Sequence, residues 1–158
     1  MIEFDVTIGS KELYDYMLMH NYTHASGLLG SVVGAMCVFV AFSMQYWVLL
    51  FAGILLLLYL PCTLWLKSKQ QAVLNPVFKE PLHYTLDDEG ITVSQGEACE
   101  KQAWDQMVKA VSTGRSIIVY TSRVNATIFP KAQLGDSKDA LIEMISTHMP
   151  PAKVKIRN

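Results

Sequence analysis

The chain opens on an alternation. Ile2, Phe4, Val6 and Ile8 are separated by Glu3, Asp5 and Thr7, the period of two that marks a half-buried strand. The spacing then changes. SKELYDYMLMHNY reads as a helix with Ser10 as its cap and Glu12 in the first turn, where a carboxylate favours the helix dipole. From Tyr16 to Leu66 the chain carries no Asp, Glu, Lys or Arg. A spanning helix needs about 20 apolar residues for a hydrocarbon core of ~30 Å, so this run holds two. They are placed at Ala25 to Ser43 and Tyr46 to Leu66. Only Ser43, Met44 and Gln45 are left to turn between them, and the pair must be an antiparallel hairpin. Backbone groups in lipid have to be paired within the segment, which selects helices over strands. The juxtamembrane helix is expected to run into the first span without a break.

Beyond Leu66, KSKQQAVLNP continues the second helix until Asn75-Pro76 stops it. Short runs punctuated by turn residues follow. They are LHYTL (82–86), GITVSQ (90–95), CEKQAW (99–104), QMVKAVST (106–113), SIIVYTS (116–122) and NATIFP (125–130). Asp87-Asp88-Glu89-Gly90 and Gly114-Arg115 supply turns between them. Asp136 is placed as the cap of a last helix, DSKDALIEMISTHM, whose Leu141, Ile142, Ile145 and Met149 form an apolar face. KVKIRN follows as a last strand or a basic tail. The expected fold is α+β: a two-helix transmembrane hairpin carrying a small antiparallel β-barrel of the pleckstrin-homology-like type, capped by the C-terminal helix. The N-terminal strand completes the sheet from across the hairpin. Residues 1–22 form the leading strand and juxtamembrane helix, 23–67 the hairpin and 68–158 the barrel domain.

Composition changes this picture little. Hydrophobic residues make up 51% and charged residues 17%, and the net charge is −1. That excludes a basic nucleic-acid binder or an acidic disordered tail for the chain as a whole. Where the charges lie says more. Before the hairpin Lys11 stands against Glu3, Asp5, Glu12 and Asp15, whereas Lys67, Lys69 and Lys79 follow it. The positive-inside bias places both termini in the cytoplasm. A cleaved signal peptide does not fit an apolar run that starts after net-negative residues and continues for two membrane widths.

Three segments carry a resemblance: NPVFKEPLHYTLDDEGITVSQGE (75–97), the Trp104-Asp105-Gln106-Met107 step, and IIVYTSRVNATIFPK (117–131). Together with the FDVTIGSKELYDYML start they resemble the YcxB-like family. These are bacterial membrane proteins with a two-helix hairpin and a C-terminal domain similar to bacterial pleckstrin-homology domains. The resemblance implies a fold and an inner-membrane location. It implies no reaction.

Candidate chemistry is sparse. Cys37, Cys62 and Cys99 are far apart, without metal spacing, and read as small buried hydrophobes. His20 and His24 share a helix face but have no carboxylate or thiol beside them there to complete a metal site. There is no Gly-x-Ser-x-Gly elbow and no glycine-rich phosphate loop, so neither an enzyme nor a cofactor is expected. Two sets of residues remain as candidates. Lys101, Arg115, Arg123 and Lys131 lie at or near strand ends and turns, where pleckstrin-homology domains often receive anionic head groups or peptides. Bracing of local turns is the competing role for them. Ser26, Gly30 and Gly34 recur every four residues in the first span, a stripe that lets a second helix approach closely. That helix is the second span of the same chain, a second copy in a homodimer, or a membrane partner. The expected function is a non-catalytic inner-membrane protein whose cytoplasmic domain binds a protein partner or an anionic lipid head group. The alternative is a bacteriocin-immunity or transporter-accessory protein that works through its hairpin.

Overall fold

Strand β1 (Ile2–Val6) forms where the alternation lies, and it pairs antiparallel with β2 (Leu82–Leu86), Ile2 opposite Leu86 and Val6 opposite Leu82. The computed structural model describes residues 1–156, apart from the side chain of Ser26. Between these two strands run three helices: α1 (Ser10–Tyr22), α2 (Ala25–Met44) and α3 (Trp47–Leu74). Gly9, with extended backbone, is the residue that caps α1, and its N–H donates to the Glu12 carboxylate at 3.0 Å. Ser10, the expected cap, is therefore the first helical residue, and the cap falls one position earlier. Helices α1 and α2 are also not continuous. Thr23 and His24 separate them, and the Thr23 hydroxyl turns back to donate to the Met19 carbonyl at 2.8 Å, closing the end of α1.

Helix α2 turns into α3 through Gln45 and Tyr46, with Gln45 in the left-handed region at φ 55°. At 1.5 Å per residue the 20 residues of α2 extend about 30 Å and the 28 of α3 about 42 Å. The last turns of α3 therefore pass beyond the end of α2. Both helices are long and apolar enough to cross a membrane, and only 17% and 11% of their apolar windows are buried. They approach closely at Gly34 and Gly53. A Cβ on Gly53 would stand 2.9 Å from the Val38 nitrogen, and one on Gly34 would stand 2.9 Å from Leu57 Cγ. The helix α3 passes through Pro61 uninterrupted.

After α3 the chain enters β2, followed by β3 (Gly90–Gln95) and β4 (Ala98–Ala103), giving a sheet of order β1-β2-β3-β4. A second sheet has the order β7-β6-β5-β8, from β5 (Lys109–Ser112), β6 (Ser116–Tyr120), β7 (Ala126–Pro130) and β8 (Val154–Lys155). The tail thus contributes a strand, parallel to β5, while Arg157 and Asn158 lie outside the described residues. The short α4 (Lys131–Leu134) precedes α5 (Ser137–His148). Asp136 stands before α5 but has helical backbone angles and makes no capping bond with its side chain, so it does not cap the helix as expected. The core lies between the sheets and α5. Val6, Leu86, Ile91, Ile117, Val119, Phe129, Leu141 and Ile145 are among its fully buried residues, with Phe4, Tyr84 and Phe129 in ring contact.

The sheets do not close into a barrel. Strand register gives the reason. Leu86 is opposite Ile91, which is opposite Gln102; Tyr84 is opposite Val93, which is opposite Glu100. The core-facing rows are apolar on β2 and β3 but end on an amide and a carboxylate at β4. On that row β4 offers only Ala98 besides these two polar side chains, too little apolar surface to bury against β7, and the two edges stay apart. A cleft of about 440 Å³ opens there, bordered by Tyr84, Val93, Glu100, Gln102, Ala126 and Ile128.

Candidate functional site

The four basic residues singled out by position do not converge. Lys101 lies on the exposed edge strand β4, where its ammonium pairs with Asp87 at 3.1 Å and Glu89 at 2.5 Å across the β2–β3 turn. Those bonds hold the Lys101 ammonium above its ordinary pKa, and bonds from Lys101 and the Gly90 N–H hold the Asp87 carboxyl below its own. This pair fastens a turn. Lys131 donates to the Thr113 carbonyl at 2.8 Å, and its own N–H meets the Arg115 carbonyl. It too is a brace. Arg123 sits exposed in the β6–β7 turn, which the Ser122 hydroxyl closes by accepting from the N–H groups of Val124 and Asn125.

Arg115 is different. It stands at the tip of the β5–β6 turn, and that tip is tied down on two sides. The Thr113 hydroxyl donates to Asp15 of α1 at 2.5 Å and also accepts from the N–H groups of Arg115 and Ser116. With the backbone held in this way, the exposed guanidinium borders a crevice of about 170 Å³ whose other walls are Ser10, Lys11, Tyr14 and Trp65. Neither Arg115 nor Lys11 forms an ion pair among the described residues. Lys69 adds a third cation, its ammonium 3.7 Å from the centre of the Trp65 ring. Trp65 belongs to the last turn of the uncharged stretch of α3, just before Lys67. Three segments distant in sequence thus bring cations and aromatic rings to the end of the apolar helices. Lys11, Tyr14 and Trp65 were not among the sequence candidates.

The small-residue stripe divides. Gly34 is used inside the chain, against Gly53 and Leu57; Gly30 has nothing within 4 Å of where a Cβ would be. The side chain of Ser26 lies outside the described residues.

Three other groups bear on chemistry. Trp104 is buried, stacks on His148 and donates its indole N–H to the Asp87 carbonyl at 2.9 Å, the role of a core residue. His20 packs between His24 and Tyr120, with ring centres 4.4 and 6.1 Å away. Burial holds its pKa below the ordinary value, helped by repulsion from His24 and Lys109. Burial likewise pushes the Tyr120 hydroxyl up to about 12. Among the described residues no three His, Cys, Asp or Glu side chains are grouped for a metal ion.

Residues 86–145 match the family model of YcxB-like proteins. The matched region runs from the end of β2 through most of α5 and contains two of the resembling segments, the Trp104-Asp105 step and 117–131. It covers less than half of the chain, whereas the likeness drawn from the sequence extends over nearly all of it. A search of curated proteins and one of solved structures each return no match. Within the crevice, Arg115 belongs to the YcxB-like region, while Lys11, Tyr14 and Trp65 come from the helices outside it.

Proposed function

We propose that the protein is a non-catalytic membrane anchor and binding module, in which α2 and α3 cross the bacterial inner membrane as a hairpin. Both termini and both sheets then lie on the cytoplasmic side, where an open, pleckstrin-homology-like module meets an anionic lipid head group or a protein partner. One observation carries this reading: two helices with no charged residue between Tyr16 and Leu66 leave most of their apolar side chains bare. Bare apolar surface on that scale is costly in water and is covered at no such cost by lipid. Lys67, Lys69 and Lys79 after the hairpin support the orientation. Two four-stranded sheets closed at one end by α5 support the likeness to a pleckstrin-homology domain. The non-catalytic part rests on the absence of nucleophile, phosphate-loop and metal motifs from the sequence. Flotation with liposomes and resistance to alkaline carbonate test the anchor. Recovery of a monodisperse chain from detergent-free buffer would refute it.

A second reading has the hairpin itself dock on a membrane partner, as an immunity or transporter-accessory protein would. Open Gly30 favours it, since a small residue on a bare helix permits close approach of another. Gly30→Leu should then abolish in-membrane cross-linking to that partner while the chain still floats; unchanged cross-linking rejects the idea.

A further inference from the structure

We infer that the crevice between α1, α3 and the β5–β6 turn binds the phosphate of an anionic phospholipid, a site that rests on the membrane reading above and makes it specific. Position is the first argument. Trp65 closes the apolar stretch of α3, and an indole at that depth sits at head-group level. Arg115 and Lys11 face the same opening from two other elements, so a phosphate there meets cations from two sides. Charge is the second. A surface arginine and lysine without carboxylate partners, joined by Lys69 on the Trp65 ring, leave positive charge uncompensated. The nearby carboxylates, Glu12 and Asp15, form no ion pair with Lys11 or Arg115; their bonds go instead to the Gly9 N–H and the Thr113 hydroxyl. Third, the site is pre-formed. Thr113, Asp15 and Lys131 anchor the turn that presents Arg115, so little backbone ordering remains to oppose binding. The guanidinium is free to make a two-pronged bond to phosphate oxygens, Lys11 supplies a second charge, and Tyr14 and Trp65 flank the glycerol end. A volume of about 170 Å³ admits a head group and excludes acyl chains, which remain along α3.

The test uses the full chain in phosphatidylcholine nanodiscs containing a fluorescent phosphatidylglycerol, with retention of the labelled lipid measured after exchange. The wild type should retain phosphatidylglycerol several-fold over labelled phosphatidylcholine. Arg115→Gln and Lys11→Gln should each lower that retention about fivefold, the usual worth of one basic side chain near an anionic surface. Arg115→Lys should fall between the wild type and Arg115→Gln, keeping the charge and losing the two-pronged bond, which separates loss of charge from loss of fold. Arg123→Gln, at the other end of β6, should leave retention unchanged. Displacement of the label by soluble glycerol 3-phosphate would overturn the lipid assignment in favour of a free phosphate ester. Equal retention by the wild type and both Gln variants, in protein that floats with liposomes, would overturn the site alone. A chain that floats with no liposome overturns the membrane reading, and the lipid site with it.

Discussion

At the scale of single residues, the sharpest constraints come from groups whose partners are backbone atoms. Gly90 lies opposite Ala103 in the β3–β4 ladder, and any side chain there collides with the Gln102 carbonyl. Gly90→Ala should therefore reduce the folded yield in detergent, while Gly114→Ala, with open space around it, should not. Trp104 combines burial with one directed bond. Trp104→Phe loses the indole donor to Asp87 and should cost about 1 kcal/mol, and Trp104→Ala about 3–5 kcal/mol, read from denaturant melts. His20 provides a pH dependence. Its folded-state pKa is lowered, so below about pH 6.5 the unfolded chain takes up a proton before the folded one does. Stability from this group is full above that pH and is lost as the pH falls towards the folded value. His20→Phe, which keeps a ring against Tyr120, should flatten the melting temperature over that interval; an unchanged slope would remove His20 as its source.

At the scale of elements, the two helices of the hairpin depend on glycine where they cross. Gly53→Leu should force α2 and α3 apart and lower the melting temperature in detergent by several degrees, as overpacking by ~1–3 kcal/mol implies. Gly30→Leu should leave it unchanged. Much of this level was legible beforehand. Strands β1, β2, β3, β6 and β7 follow period-two or short apolar runs bounded by turn residues, and their limits fall within two residues of the expectation. The break between α1 and α2 was not legible, because neither Gly nor Pro marks it; Thr23 ends the helix through a bond that its composition does not announce. Barrel closure failed for a reason that was written in the chain but needs register to be read. Only when β4 is aligned with β3 does it emerge that Glu100 and Gln102 occupy the core-facing positions. Likewise Lys101 and Lys131 look free in sequence and become braces once Asp87, Glu89 and Thr113 are brought beside them. The crevice was the least legible of all, since its walls lie at residues 10–14, 65 and 115.

At the scale of the whole molecule, the β-rich module is not built from one continuous segment. Sheet β1-β2-β3-β4 takes its first strand from before the hairpin, and α1 packs against both α3 and the second sheet, tied there by Tyr16 to the Val124 carbonyl at 2.8 Å. Expression of residues 75–158 alone should therefore give an exposed β2 edge and aggregated protein on size exclusion, and supplying residues 1–9 ahead of β2 through a short linker should restore part of the soluble fraction. Equal behaviour of the two proteins would show that β1 is dispensable. The same arrangement has a consequence for biosynthesis. Val6 leaves the ribosome some 76 residues ahead of Leu82, a wait of about 4–15 s at ordinary elongation rates. During that wait both apolar helices must be delivered to their final surroundings. On the membrane topology proposed above, a nascent chain whose second helix stayed on the wrong side could not bring Leu82 back to Val6, so completion of the first sheet would act as a built-in check that the hairpin went in and came out again.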